Sequence, residues 1–137
     1  MILGVGIDLA STQFWVEAIN DPTTSVIEGT FTERERRDAE AGPVPAAERY
    51  AARFAAKEAF TKAVSSARRG QPPLIDRLAP IEVEIIKDEW GRPSLNLYGD
   101  AAMLAAEIGV TQSWVSLSHE EGHTVAVVIL EGGDSNT

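Results

Sequence analysis

Cysteine is absent from the sequence, and basic residues are few. A chain without cysteine has no disulfide framework, no zinc–cysteine site and no thiol nucleophile, and we expect such a chain in the cytoplasm. Lysine and arginine number 12 against 21 aspartates and glutamates, which makes the formal net charge −9 at pH 7. This charge argues against nucleic-acid binding and disfavours an acidic protein partner, but it is compatible with a locally basic pocket for a phosphorylated small molecule.

Long apolar runs are also absent. No stretch approaches the ~20 apolar residues that span a bilayer, and the first residues lack the basic region of a signal peptide, so we expect no membrane association. Apolar residues make up 44% of the 137 residues, which is enough for a folded core. We predict a single domain over residues 1–131 and a flexible polar tail over 132–137.

Local patterns predict an α+β fold with a largely antiparallel sheet. Thr32 and Glu35 have the spacing of a capping box, which predicts a helix start. The longest helix is predicted over about 46–66, where alanine is frequent and glycine and proline are absent. The other predicted elements are a strand over 2–8, a helix after Ser11, a hairpin around 81–86 and 95–97, a helix from Asp100, and strands over 110–118 and 124–130.

Two segments carry residue types suited to metal and phosphate chemistry. Asp8 ends an apolar strand, where a carboxylate either projects into a site or caps the next helix. On the long helix, Glu58 and Lys62 are four residues apart and therefore share one stripe. An acid among bases suits a metal ion with a polyphosphate, although the pattern alone favours a helix cap and a surface ion pair worth ~0.2–0.5 kcal/mol. The other residues on or beside this stripe are Arg53, Phe54 and Lys57.

The end of a predicted strand carries Ser118 and His119. Neighbouring side chains on a strand point to opposite faces, so these two residues do not form a nucleophilic serine–histidine pair. His119 is suited to donate a hydrogen bond to a phosphate or a ribose, and the alternative is an exposed histidine with no role.

Taken together, these segments resemble the holo-acyl-carrier-protein synthase family of 4′-phosphopantetheinyl transferases. The resemblance covers about residues 2–130 and is most specific over residues 53–63, where RFAAKEAFTKA matches the signature helix of the family. Further matches follow in the order of the family: GVGIDL at 4–9, FTxxE at 31–35, IEV at 81–83, GRP at 91–93 and VSLSH at 115–119.

The resemblance implies transfer of the 4′-phosphopantetheine group of coenzyme A to a serine of an apo acyl, polyketide or peptidyl carrier protein, with release of 3′,5′-ADP. It implies a fold in which the antiparallel sheet packs on the long helix, and a homotrimer with active sites between subunits. It also implies that Asp8 and Glu58 bind Mg²⁺, which bridges the pyrophosphate of coenzyme A, and that Lys62 completes the catalytic set by neutralising phosphate charge.

The serine of the carrier needs a base. Glu58, acting directly or through a metal-bound water, is the first candidate, and Glu120 beside His119 is the second. The coenzyme contacts that the resemblance implies are Arg53, Phe54, Lys57, Lys62, Arg92, Pro93, Ser118 and His119.

Two departures from the family pattern concern ligands. After the signature helix, residues 64–70 (VSSARRG) stand in place of a glycine-threonine-glycine loop, and Arg68 and Arg69 offer charge to phosphate there. The segment 11–17 lacks the arginine that usually pairs with an acidic carrier. Phe14 and Trp15 offer an apolar docking face instead, or pack in the core, so we expect carrier association to depend weakly on salt.

Two other interpretations of the sequence compete with this function. One is a non-catalytic member of the same fold that binds coenzyme A or organises a synthase complex. The other is a trimeric assembly module without a ligand. Asp8, Glu58 and Lys62 argue against the first, and the bases interleaved on the long helix, which a plain surface does not need, argue against the second.

Overall fold

Two antiparallel sheets and one long helix organise the chain. In the computed structural model, which describes residues 1–133, the first sheet has the strand order β1-β5-β4 and the second is the hairpin β2-β3. The elements are β1 (Ile2–Ser11), α1 (Thr12–Ile19), α2 (Val26–Thr30), α3 (Glu33–Glu40), α4 (Ala46–Ala67), β2 (Val83–Lys87), β3 (Pro93–Leu97), α5 (Gly99–Glu107), β4 (Val110–Glu120) and β5 (His123–Gly132). The predicted α+β class and antiparallel sheet are therefore confirmed.

The central layer of the core lies between α4 and the inner face of the three-stranded sheet. The inner residues of β5 alternate along the strand, and Ala126, Val128 and Leu130 are fully buried there. Small residues on both sides allow a close approach, since a Cβ atom on Gly6 would lie 1.9 Å from the carbonyl oxygen of Ala59. The two glycines of β1 thus set how near α4 comes to the sheet.

Most predicted helix boundaries agree with the structure to within one or two residues. The Thr32 hydroxyl accepts the Glu35 N–H, and the Glu35 carboxylate accepts the Thr32 N–H, which completes the capping box. Helix α5 begins one residue before Asp100, with Tyr98 as its N-cap. The short helix α2 is a structural finding that the sequence pattern did not predict.

Three predicted boundaries need correction. Ile81 lies in a 3₁₀ turn over Pro80–Glu82, so the hairpin starts at Val83. Strand β1 continues three residues beyond Asp8, pairing with β5 to its end. The predicted tail begins too early, because Gly132 is buried in β5 and its N–H donates to the Met1 carbonyl oxygen. Residues 134–137 lie outside the described residues. Within residues 1–133, no helix is long and apolar enough to cross a membrane.

Candidate active site between β1 and α4

Strand β1 and helix α4 run past each other in opposite directions, and this crossing places the acidic residues. Along the inner face of β1, Gly4 abuts the Ala63 carbonyl and Gly6 abuts the Ala59 carbonyl, one helical turn earlier. Asp8 is the next residue on that face. It therefore meets α4 on the N-terminal side of Ala59, close enough to Glu58, the preceding residue, for the two carboxylates to interact.

Lys62 joins the strand to the helix. Its Nζ donates to Asp8 Oδ1 at 2.9 Å, across 54 residues of sequence. The Asp8 side chain is 15% exposed and that of Lys62 is 57% exposed, so the pair lies at the edge of the solvent. Asp8, Glu58 and Lys62, here called the carboxylate site, are the three residues predicted to carry catalysis, and the fold brings them together.

Electrostatics at the carboxylate site disfavour two negative charges. Partial burial raises the pKa of Glu58 above its ordinary value, and the negative charge of Asp8 adds to this rise. The positive charges of Lys62 and Arg77 oppose the shift without reversing it. A divalent cation between the carboxylates would relieve their repulsion.

The carboxylate site fits Mg²⁺ only if other ligands contribute. Within residues 1–133 no group of three or more histidine, cysteine, aspartate or glutamate side chains is placed to hold a metal. Two carboxylates are nevertheless the usual protein contribution to Mg²⁺, which takes its other oxygens from substrate phosphates and water. The donor set of Asp8 and Glu58 is therefore of the right kind.

A cavity of about 440 Å³ opens beside Glu58 and follows α4 toward its C-terminal end. Its far wall is the segment 71–80 together with Leu104 of α5. This volume lies within the ~300–1,000 Å³ of ordinary small-molecule pockets. The α4 residues that line it are Glu58, Thr61, Val64, Ser65 and Arg68.

Lys57, predicted as a coenzyme contact, lies in the core instead. Its Nζ donates to Glu35 Oε1 at 2.8 Å and to the carbonyl oxygens of Pro80 at 3.0 Å and Val83 at 2.6 Å. The ammonium group has three N–H donors and all three are used. The ion pair with Glu35 is fully buried, so Lys57 ties α4 to α3 and to the start of β2 rather than meeting a ligand.

Arg53 occupies the same buried stripe, one turn before Lys57. Its side chain is buried and Nη1 donates to the Arg49 carbonyl oxygen at 3.3 Å. Burial lowers the pKa of Arg53, although its guanidinium still carries a charge near Glu35 and Asp38. Arg53 and Lys57, predicted to lie on or beside the stripe of Glu58 and Lys62 and to contact the coenzyme, are therefore buried in the core.

Phe54 and the two aromatic residues of α1 occupy different environments. Trp15 is buried, and its ring centroid lies 5.4 Å from that of Phe54 and 5.1 Å from that of Phe31. Of the two predicted alternatives, docking face or core, Trp15 therefore takes the core. Phe14 is 53% exposed. A second cavity of about 340 Å³ lies between Phe14, Phe54 and Leu9, next to Asp8 in the chain.

The remaining predicted coenzyme contacts lie elsewhere in this chain. The guanidinium of Arg92 pairs with Asp88 at 2.8 Å in the β2–β3 turn, and Pro93 begins β3. Ser118 and His119 lie near the end of β4 and are exposed, and their successive positions on a paired strand put them on opposite faces. Within residues 1–133 no hydrogen bond or ion pair joins these side chains to the carboxylate site.

Glu84 is a buried acid that the sequence pattern missed. Its carboxylate accepts hydrogen bonds from the Thr32 hydroxyl at 2.6 Å, the Tyr98 hydroxyl at 2.9 Å and the Asn96 amide at 3.3 Å. Burial acts to raise the pKa of Glu84, but these hydrogen bonds outweigh it and the pKa lies below its ordinary value. In the sequence, the alternation of Glu82 and Glu84 with apolar residues is typical of a strand with one solvent-exposed face. The hydrogen-bond partners of Glu84 come from other elements, so only the tertiary structure shows that its carboxylate is buried among them.

Comparison with known proteins agrees with this geometry. Residues 4–128 match the profile of the 4′-phosphopantetheinyl transferase superfamily. A holo-[acyl-carrier-protein] synthase of Mycolicibacterium paratuberculosis is 44% identical over 130 residues, which cover 95% of this chain and 97% of that protein.

Solved structures of acyl carrier protein synthases are also similar to this chain. The acyl carrier protein synthase of Mycobacterium tuberculosis is 41% identical, with a TM-score of 0.76 over 97% of this chain and 100% of that one. The complex of the Chronobacterium ammoniagenes synthase with CoA is 33% identical, with a TM-score of 0.84 over 95% of this chain and 97% of that one. Because the matching region spans nearly the whole chain, including Asp8 and Glu58, this chain belongs to the 4′-phosphopantetheinyl transferase superfamily.

Proposed function

We propose that this protein transfers the 4′-phosphopantetheine group of coenzyme A to a serine of an apo carrier protein and releases 3′,5′-ADP. The observation that carries the proposal is the convergence of Asp8, Glu58 and Lys62 beside a cavity of about 440 Å³. The relatives that bear the name holo-[acyl-carrier-protein] synthase, at 42–44% identity, support the same activity.

The reaction joins the serine oxygen to the β-phosphorus of coenzyme A and breaks the bond from that phosphorus to the 3′,5′-ADP oxygen. Glu58 accepts the proton of the serine hydroxyl, because it is the carboxylate of the site that also lines the cavity. Lys62 is partly exposed and can turn from Asp8 toward the phosphate oxygens on which charge develops. The leaving group is already stable, so positioning and charge neutralisation contribute most of the rate enhancement.

Asp8 and Glu58 are the residues that would hold Mg²⁺. Held there, Mg²⁺ would neutralise charge on the pyrophosphate and polarise the phosphoryl group whose phosphorus the serine oxygen attacks. Asp8 also orients Lys62 through its 2.9 Å contact, so its loss would disturb both functions of the site.

The outer face of the three-stranded sheet supports assembly into a homotrimer. Val5, Ile7 and Leu9 of β1 are 47%, 58% and 65% exposed, and they lie beside Val125, Val127 and Ile129 of β5. Trp114 of β4, 55% exposed, extends the same face. A continuous apolar sheet face of this kind is typical of an interface, and copies of this chain are its proposed partners.

Assembly would supply the coenzyme contacts that one chain does not bring together. Arg92, Pro93, Ser118 and His119 are exposed or half-buried and lie at the hairpin turn and at the end of β4. We assign them to the ribose and adenine of a coenzyme held at the carboxylate site of a neighbouring subunit.

A charged residue on this sheet face should abolish assembly. We expect Ile7→Lys to give a folded monomer, because three lysines would be buried in the apolar interface of a trimer. Ile19→Lys makes the same change at a 42% exposed position of α1 and should leave assembly intact. Sedimentation velocity measures the outcome, and a wild-type protein that sediments as a monomer would contradict the proposed trimer.

The carrier is proposed to dock beside α1. The cavity of about 340 Å³ next to Asp8 is lined mainly by apolar residues, and α1 carries no basic side chain in its first or last turn. An apolar side chain of the carrier suits this cavity better than an acidic one. The weak salt dependence of carrier association and the cytoplasmic location stay predictions.

A direct assay tests the function. The protein is incubated with coenzyme A, Mg²⁺ and a panel of fatty-acid, polyketide and peptide apo carriers, and each carrier is weighed by mass spectrometry. We expect at least one carrier to gain the mass of one phosphopantetheine on its serine. Binding of coenzyme A without any gain in carrier mass would favour the non-catalytic alternative, and no binding would favour a plain assembly module.

A further inference from the structure

Lys62 and a divalent cation would use the same carboxylate. The Lys62 Nζ atom donates a hydrogen bond to Asp8 Oδ1 at 2.9 Å. In the part of the chain that the structure describes, no other side chain pairs with the Asp8 carboxylate. The Asp8 side chain is mostly buried, so it needs a positive partner to offset the loss of hydration. Lys62 therefore neutralises Asp8 as a bound metal ion would.

The contact between Lys62 and Asp8 can be exchanged. Lys62 Nζ has no second hydrogen-bond acceptor among residues 1–133, and its side chain is more than half exposed. The flexible four-carbon stem lets the ammonium group leave Asp8 without a change in the backbone. Lys57 is the opposite case, because all three of its N–H donors are used in the core. Of the two lysines of α4, Lys62 is thus the one that can change its partner.

Two cations on Asp8 would repel each other. Mg²⁺ binds carboxylate oxygens at about 2.0–2.1 Å, so an ion on either oxygen of Asp8 would lie within a few ångströms of an ammonium group on Oδ1. Repulsion at such a distance is strong where water is partly excluded. Glu58 forms no hydrogen bond or ion pair through its side chain in the described part of the chain, so only Asp8 is already paired.

We propose that Lys62 competes with Mg²⁺ for Asp8, and that the metal ion displaces the ammonium group from this carboxylate when it binds. The inference rests on the proposed function, which takes Asp8 and Glu58 as the metal ligands and gives Lys62 the phosphate oxygens of coenzyme A as its next partner. Coenzyme A therefore strengthens metal binding in two ways, by supplying phosphate oxygens and by drawing Lys62 away from Asp8. The free protein binds the metal ion more weakly because Lys62 is in place.

Metal binding without turnover tests this coupling. Mn²⁺ prefers the same oxygen ligands as Mg²⁺, and electron paramagnetic resonance measures its free concentration in the absence of any carrier. Lys62→Met removes the ammonium group and keeps the length of the side chain, and Lys62→Gln is a second uncharged variant. We expect both to lower the Kd of Mn²⁺ for the free protein by about 5-fold, which corresponds to an exposed ion pair at the upper end of its usual strength.

Saturating coenzyme A should remove this difference. In the wild type the ammonium group then contacts phosphate instead of Asp8, so the wild type and Lys62→Met should bind Mn²⁺ with nearly equal affinity. Binding of Mn²⁺ to free coenzyme A is measured separately and subtracted. An effect of the same size with and without coenzyme A would mean that Lys62 stays on Asp8 beside the metal, and the proposal would be wrong.

Arg77 provides a control for charge alone. It is exposed and lines the cavity with Glu58, and its positive charge, like that of Lys62, acts to lower the pKa of Glu58. It forms no ion pair with Asp8 within the described residues. Arg77→Met should change the Kd of Mn²⁺ by less than about 2-fold, because the charge of an exposed side chain is screened. Lys62→Arg keeps a positive charge beside Asp8 and should retain the weak binding of the wild type.

The possible results separate this inference from the proposed function. If Lys62→Met binds Mn²⁺ no more tightly than the wild type or Arg77→Met, the competition is wrong even when the wild type modifies carriers. If Asp8→Asn binds Mn²⁺ as tightly as the wild type with coenzyme A present, Asp8 is not a metal ligand. In that case this inference fails together with the metal assignment of the proposed function.

Discussion

Glu58→Gln is expected to lower the turnover number for carrier modification by about 10³-fold or more, since it removes a proton acceptor and a metal-binding carboxylate in one substitution. Glutamine has nearly the same shape and still reaches the cavity. Fold stability should not fall, because the pKa of Glu58 is raised and a neutral side chain avoids the unfavourable charge. Turnover is measured by carrier mass spectrometry, and stability by thermal unfolding.

The control for this substitution lies on the same helix. Glu48→Gln makes an identical chemical change ten residues nearer the N-terminus of α4, about 15 Å away, and should leave turnover unchanged. Asp8→Asn tests the other carboxylate from β1 and should resemble Glu58→Gln. Near-normal turnover of Glu58→Gln in a folded protein would remove Glu58 from the catalytic set.

Gly6→Ala should disrupt the fold and activity together. The new Cβ atom would lie 1.9 Å from the Ala59 carbonyl oxygen and 2.6 Å from the Ala63 nitrogen, and both are backbone atoms of α4. The helix must therefore move away from the sheet. We expect a loss of more than about 3 kcal/mol in the free energy of unfolding, at the upper end of overpacking effects. Chemical denaturation measures this loss.

The same substitution also tests how the site is held together. Displacing α4 from β1 separates Asp8 from Lys62, so the Gly6→Ala protein that remains folded should show reduced transfer. Gly29→Ala is the matched control. No atom outside its chain neighbours and its own helix backbone lies within 4 Å of a Cβ at Gly29, so stability should change little or rise slightly. A wild-type denaturation midpoint for Gly6→Ala would contradict the close-packing argument.

Helix α4 shows which structural features the local sequence pattern predicts and which it does not. Its range was predictable almost to the residue, because alanine-rich sequence without glycine or proline favours a helix wherever it lies. The surroundings of its basic side chains, whether core or solvent, were not predictable from the sequence. Five residues separate Lys57 from Lys62, which turns one side chain about 140° from the other around the axis. Lys57 meets Glu35 in the core, while Lys62 meets Asp8 at the surface.

The loop after α4 makes the same point with two adjacent arginines. Both carry a charge that suits a phosphate, and nothing in the local pattern separates Arg68 from Arg69. Their different positions depend on the segment 71–80, which folds back over one side of the helix and leaves Arg69 in solvent. Which arginine can meet a ligand is therefore a property of the packing.

The amino-acid sequence by itself determined the family, the α+β class, the capping box and the identity of the three residues at the carboxylate site. These follow from motifs and from interactions among residues close in the chain, which a linear pattern records directly. The tertiary structure alone decided the burial of Lys57 and Arg53, the cluster around Glu84 and the cavity that ends at Arg68. Each of these depends on contacts between elements distant in sequence, and such contacts arise only when the helix and sheet pack together.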